Sequence, residues 1–223
     1  MGDSAPSSYG VQYVQEMLLN DPTWSFWDFN YTIVQLADRI DPGNATADVY
    51  DLSPFHNRGG KLLQYHGLAD ASISTGSSEY FYKEVYKTMQ SKGIALDSWF
   101  RYFEVPGMQH CSGTDDNVNA PWYFAGANQA SRIGSSPGSV HSVPGFKDAK
   151  HDALLALMAW IEHDTAPDQI IATKWQNDTL VDKVLRQRPL CPFPQHAKYN
   201  GQADPDSAES WTCRLLWETV SQQ

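Results

Sequence analysis

The chain has 223 residues, 41% of them hydrophobic, with 26 acidic against 16 basic side chains and a formal net charge of −10. That length suffices for one medium domain with a core of its own, and the acidic balance argues against nucleic acid and anionic membranes as partners. No run of 18 apolar residues is present, so the sequence offers no transmembrane helix, and Met1 to Ser8 has neither the basic nor the apolar stretch of a signal peptide.

Residues 1–58 read as an irregular segment. Within it the spacing of Val11, Val14, Met17 and Leu18 predicts a helix over Val11 to Leu19, ended by Asn20-Asp21-Pro22. Trp24 to Phe29 is densely aromatic and reads as core or as the wall of a cleft. Ile33 to Arg39 is a second helical stretch, followed by the loop Asp41 to Thr46. From residue 59 to 223 the pattern is that of α/β architecture. Gly59-Gly60 breaks the chain, and Lys61 to Tyr65 is a continuous apolar run suited to a strand covered on both faces. Ser77 to Met89 reads as a helix capped by Ser77 or Ser78, with Tyr80, Phe81, Val85 and Met89 as its apolar set. Ser98 to Val105 is the next strand, so this stretch fits a right-handed parallel crossover. Residues 112–149 are rich in Gly, Ser, Pro and Asn and lack periodicity; so long a stretch in a compact domain is usually functional. Asp148 to Glu162 is expected as a helix with Ala153, Leu154, Leu157, Met158 and Ile161 on one face, stopped by Thr165-Ala166-Pro167. No repeat or heptad run is visible, and the whole reads as one compact unit.

Two short segments carry the chemistry. One strand ends in Tyr65-His66-Gly67-Leu68-Ala69-Asp70, the other in Val105-Pro106-Gly107-Met108-Gln109-His110-Cys111. An acid beyond one strand and a histidine beyond a later one is the order of the last two triad members in α/β-hydrolases, where the acid orients the imidazole and stabilises its cation. No convincing serine precedes them. The alternative for Asp70 is a turn cap helped by Ser72 and Ser74, and His66 at the strand end is read as packing or bonding locally. His141, His151, His163 and His196 lack such a context, although His151 sits with Asp148 and Asp152 at a helix start, where acids suit the dipole. Gly134-Ser135-Ser136-Pro137-Gly138 spells G-x-S-x-G, yet no strand precedes it, Pro137 follows the serine and Ser136 comes after His110; it reads as loop composition. Zinc is excluded for want of ligand pairs at the usual spacing.

Three N-x-S/T sequons begin at Asn30, Asn44 and Asn177, and three cysteines and eight tryptophans are present. These features suit a secreted glycoprotein. Cys191 and Cys213 are expected to pair, because closing that loop of about twenty residues stabilises by roughly 3 kcal/mol. Cys111 is then left for a cysteine outside the chain.

The motifs resemble those of the tannase/feruloyl esterase family of secreted fungal and bacterial esterases. The resemblance runs through Arg58 to Asp70, Ile73-Ser74, Tyr80-Phe81-Tyr82, Val105 to Cys111 and His151 to Trp160, and covers most of the chain from about residue 11. It implies the C-terminal part of an α/β-hydrolase fold, with late parallel strands and flanking helices, the N-terminal half and most of the lid lying elsewhere. It further implies Asp70 as the triad acid, His110 as the general base, and Cys111 as one half of a disulfide to a cysteine beside the nucleophilic serine. The family's structural calcium belongs to the lid; no matching cluster is found here, so no cofactor is expected in this chain. Asp115-Asp116 departs from the Gly-rich run usual after the histidine. The expected partners are the N-terminal half carrying the serine and a small phenolic ester of galloyl or feruloyl type; aromatics of residues 24–31 and Trp122, Tyr123 and Phe124 read either as a stacking wall for it or, at least as readily, as core. The rivals are an enzyme that uses Ser136, an inactive truncated fragment, and a non-catalytic secreted binding module that keeps a hydrolase shell.

Overall fold

The structure, a computed structural model, describes residues 8–125, 129, 146–178 and 183–215. The chain divides into two compact units, Met1–Val49 and Tyr50–Gln223.

In the first unit α1 (Ser8–Gln12) continues directly into a π-helical stretch, Tyr13–Leu19, which closes at Asn20 in the left-handed region, φ 50°. The helix is therefore already present at Ser8, three residues before the expected Val11. A 3-10 turn at Phe26–Asp28 is capped by the Ser25 hydroxyl, which accepts from Trp27 N. The aromatic run it carries is exposed at Phe26, Trp27 and Phe29, so it is surface and not core. α2 (Tyr31–Ile40) begins two residues earlier than its apolar pattern suggests, because Asn30 Oδ1 accepts from Thr32 N as the N-cap.

The second unit opens with α3 (Ser53–His56) and β1 (Leu62–Gly67), crosses through α4 (Thr75–Gln90) and returns as β2 (Phe100–Val105). β1 and β2 pair in parallel from Leu62↔Phe100 to Gly67↔Val105. Both faces of this pair are covered. Phe100 and Tyr102 pack with Tyr82, Val85 and Met89 of α4, while Phe103 and Val105 pack with Met108, Tyr123, Phe124 and Ala156 on the other side. The continuous apolar strand pattern follows from that double burial. The free edge of β2 is met by the chain around Pro192, through a bridge to Phe103 and a bond from Phe193 N to Tyr102 O at 2.7 Å.

After α5 (Ala153–His163) the chain forms β3 (Ile170–Trp175) and β4 (Val184–Leu190), antiparallel, with a register shift at Lys174/Trp175. β5 (Gln195–Tyr199) and β6 (Trp211–Leu215) make a second antiparallel pair.

Three sequence expectations change here, and one open alternative is decided. The N-cap position of α4 is Ser74, with Ser77 Oγ donating back to Ser74 O, while Ser78 Oγ lies 2.7 Å from His66 Nδ1. The expected helix from Asp148 starts only at Ala153, because Asp152 accepts from Leu154 N and Leu155 N and so sets the cap. Its core face holds Ala153, Ala156 and Trp160, whereas Leu154, Met158 and Ile161 are exposed. Trp122, Tyr123 and Phe124 are fully buried core residues and offer no stacking wall.

Candidate active site

Asp70 sits three residues past β1, in a turn closed by its own carboxylate. Oδ1 accepts from Ser72 N at 2.8 Å and Ile73 N at 2.9 Å, while Asp70 N donates to Gly67 O at 3.2 Å. His110 sits beyond β2, on a loop anchored by Met108, whose side chain is fully buried. Gly107 makes the bend at φ 76°, where a Cβ would come within 2.4 Å of the Ala120 Cβ. Cys111 follows at φ 53°, and Gln109 N donates to Gly113 O at 3.1 Å.

The two loops are laced together by main chain. Leu68 N donates to Val105 O and Ala69 N to Met108 O, each at 3.0 Å, which extends the parallel pairing past the strand ends. Gly67 permits this approach. Buried Gln129 ties the far side: its Oε1 accepts from Phe124 N and Ala125 N, each at 2.8 Å, and its Nε2 donates to Trp122 O at 2.8 Å and Cys111 O at 3.1 Å.

The result is a bond between Asp70 Oδ2 and His110 Nδ1 of 2.8 Å, with the acid's side chain 1% exposed and the imidazole 56% exposed. Burial alone would push the Asp70 carboxyl up, but the Ile73 N–H, the His110 ring and the Ser72 N–H outweigh it and bring the group down to about 2. The carboxylate is therefore ionised at neutral pH and only accepts, so Nδ1 of His110 carries the proton. In a neutral ring Nε2 is then a bare acceptor, and it makes no hydrogen bond among the described residues. An oriented imidazole with an open, basic Nε2 can take a proton from a hydroxyl and return it to a leaving group.

His66 also touches the acid, with Nε2 3.2 Å from Oδ2. Cys111 is exposed and unpaired; burial, then the charge of Asp70, pushes its thiol up. Cys191 and Cys213 are joined, Cα to Cα 5.5 Å, tying the segment just after β4 to the middle of β6. Asn30, Asn44 and Asn177 are exposed; Asn30 Nδ2 donates to Asp28 O, and Thr179 lies outside the described residues. Ser136 also lies outside them. Among the described residues no group of three His, Cys, Asp or Glu side chains could hold a metal ion, and no helix is long and apolar enough to cross a membrane.

A cavity of about 420 Å³ lies away from this pair, lined by Glu104, Arg186, Arg188, His196 and Trp211 among others and by neither Asp70 nor His110. Among the described residues Asp148 holds a second imidazole in the same way, with Oδ1 2.9 Å from His151 Nδ1, but that carboxylate is half exposed; the Asp70–His110 pair marks the candidate site because its acid is buried and both members lie just past the ends of paired parallel strands. Gly67 and Gln129 were not singled out in the sequence. Gly67 stands inside the Tyr-His-Gly run, whereas Gln129 sits in a polar, aperiodic stretch and gives no signal.

The sequence profile of the family described as tannase and feruloyl esterase matches residues 19–214. A probable feruloyl esterase B-1 of Aspergillus oryzae is 30% identical over 208 residues, which is 93% of this chain and 35% of that protein. A probable feruloyl esterase B-1 of Aspergillus terreus is 32% identical over 94% of this chain and 36% of its own length. The crystal structures of an esterase and of feruloyl esterase B, both from Aspergillus oryzae, superpose with TM-scores of 0.77 and 0.76 at 28% identity, covering 94% of this chain and 38% of theirs. The chain thus spans little more than a third of the length of the curated relatives it matches.

Proposed function

The chain belongs to the tannase and feruloyl esterase family, and from that membership we propose that it supplies the acid and the base of a secreted serine carboxylesterase, as the C-terminal part of an α/β-hydrolase fold. The observation that carries this reading is the 2.8 Å bond from His110 Nδ1 to an ionised, buried Asp70 with Nε2 left open. The nucleophilic serine comes from a segment other than the described residues. Its hydroxyl attacks the ester carbonyl while His110 Nε2 takes the proton, giving a tetrahedral intermediate. The intermediate expels the alcohol, which receives that proton, and leaves an acyl-serine. Water, deprotonated by the same Nε2, attacks the acyl group; the acid departs and the serine recovers its proton. Throughout, Asp70 holds Nδ1–H and stabilises the imidazolium.

The names of the relatives favour feruloyl-type phenolic esters of plant material as substrates. Cys111, free and exposed beside His110, is available to bond a cysteine next to the serine and so fasten the two parts. The test uses the complete protein, this chain together with its serine-bearing part, and hydrolysis of a hydroxycinnamic methyl ester. Asp70→Asn places a donor where Nδ1–H needs an acceptor, and kcat is expected to fall by about 10⁴ with the fold retained. Turnover that survives both Asp70→Asn and His110→Ala would refute the reading, and full dependence on Ser136 would place the nucleophile within this chain instead.

A further inference from the structure

A second histidine lies on the same carboxylate, buried and outside the proton path just described. His66 Nε2 is 3.2 Å from Asp70 Oδ2 and 3.2 Å from Ile73 O, and its Nδ1 is 2.7 Å from Ser78 Oγ. The direction of each bond follows from chemistry. A peptide carbonyl and an ionised carboxylate only accept, so Nε2 must carry the ring proton and share it between them. In the neutral ring Nδ1 then accepts, and the Ser78 hydroxyl must donate.

We propose that His66 and Ser78 are positioning residues for Asp70. The proposal deepens the esterase reading and rests on it. Ser78, on the first turn of α4, selects the tautomer of His66, and His66 fixes the carboxylate that orients His110. Asp70 is then held by four donors: two peptide N–H groups on Oδ1 at 2.8 and 2.9 Å, and two imidazole N–H groups on Oδ2 at 2.8 and 3.2 Å. A carboxylate gripped at both oxygens cannot rotate, so its Oδ2 lone pair stays aimed at His110 Nδ1. Preorganisation of this kind acts on the chemical step and leaves substrate binding alone. The arrangement also gives α4 a task beyond packing, because its N-terminal turn carries Ser78 to His66.

The test compares two isosteres. In His66→Gln the side-chain amide nitrogen falls near the position of Nε2 and keeps the donor to Asp70. In His66→Asn the shorter side chain reaches only the position of Nδ1, where its amide oxygen accepts from Ser78 Oγ, and the donor to Asp70 is lost. With a hydroxycinnamic methyl ester and the complete protein, kcat should fall roughly tenfold to hundredfold in His66→Asn, the worth of one charge-assisted hydrogen bond, with KM unchanged. His66→Gln should recover most of the loss, and Ser78→Ala should lie between. Long-range proton–nitrogen NMR of the full chain gives a readout that needs no activity: His66 as the Nε2–H tautomer, and a His110 Nδ1–H resonance that shifts in His66→Asn and stays in place in His66→Gln. Equal impairment of the Gln and Asn variants would reduce His66 to a space-filling ring, and wild-type kcat in His66→Asn would end the proposal. If His66→Asn does not fold, His66→Gln and Ser78→Ala decide. If the complete wild-type protein hydrolyses no ester, the esterase reading fails, while the tautomer and the His110 resonance still decide whether His66 holds Asp70.

Discussion

Replacing Gly67 by Ala tests how closely the two loops must approach. The added Cβ would stand 2.2 Å from Met108 O, 2.6 Å from Gln109 O and 2.8 Å from Met108 C. All three atoms are backbone, so no side-chain rotation relieves the overlap. The His110 loop must retreat by about 0.8 Å to reach even the 3.0 Å below which real Cβ contacts essentially never fall. It cannot retreat freely, because Met108 is fully buried and its carbonyl accepts from Ala69 N at 3.0 Å. Added to the 2.8 Å bond between Asp70 and His110, that displacement takes the pair to about 3.6 Å, beyond hydrogen-bonding reach. Misplacement on this scale costs on the order of 10²-fold in rate, and overpacking costs about 1–3 kcal/mol in stability. Turnover of a hydroxycinnamic methyl ester by the complete protein measures the first, and a denaturant midpoint measures the second. Gly10→Ala is the control, since nothing lies within 4 Å of the Cβ it would add. Wild-type kcat together with an unshifted His110 Nδ1–H resonance in Gly67→Ala would show that the loops need not touch, and the account of the site would fall with it.

Three further outcomes are expected. The Asp70 carboxyl is lowered from 3.8 to about 2 in the folded chain, so the stability it contributes is complete above about pH 3.8 and is lost as pH falls toward 2; the gap in denaturation midpoint between wild type and Asp70→Asn should narrow across that window, and a constant gap from pH 5 to pH 2 would contradict it. Cys191→Ser opens a loop of sequence separation 22 and should cost about 3 kcal/mol, read as a lower melting temperature that reductant no longer changes; a loss within about 0.5 kcal/mol would mean that the β5–β6 pair holds itself closed. Gln129→Leu strips hydrogen bonds from Phe124 N, Ala125 N, Trp122 O and Cys111 O and should destabilise by about 3 kcal/mol or more, since buried main-chain groups are left without partners; hydrogen exchange at Phe124 and Ala125 measures it, and unchanged protection there would refute it.

The crossover β1–α4–β2 was legible because its strands are apolar on both faces and Gly, Ser and Pro punctuate their ends. Asp70 and His110 stood out for the same reason, each lying just past such a strand. The hairpins were not legible. β4 carries Arg186, Gln187, Arg188 and Pro189, and its arginines pair with Asp206 rather than entering a core, so neither the apolar count nor the alternation of a strand survives in the letters. α5 misled by a different route. Leu154, Met158 and Ile161 form a proper helical stripe, yet the face against the sheet is Ala153, Ala156 and Trp160, where small side chains let the helix approach. Composition ranks leucine above alanine for burial, but close packing does not. The contact of His66 with Ser78 was invisible because the crossover, not local sequence, sets it, and those of Gln129 with four main-chain groups because Gln129 stands in a polar, aperiodic stretch.

The candidate site is fastened from within. Asp70 is held by amides two and three residues ahead of it, His110 by a loop whose bend depends on Gly107 and whose anchor is Met108, and the two turns are stitched by Leu68 and Ala69. None of these contacts involves whatever lies opposite Nε2. The Asp70–His110 bond is therefore a property of this chain, formed before any nucleophile is in place, and the cost of ordering it falls on folding and not on turnover. Two consequences separate cleanly. In the proposed esterase, substitutions on the serine-bearing side should change kcat while leaving the His110 Nδ1–H resonance where it is. Substitutions at Gly67, His66 or Gln129 should move that resonance first and lower kcat because of it.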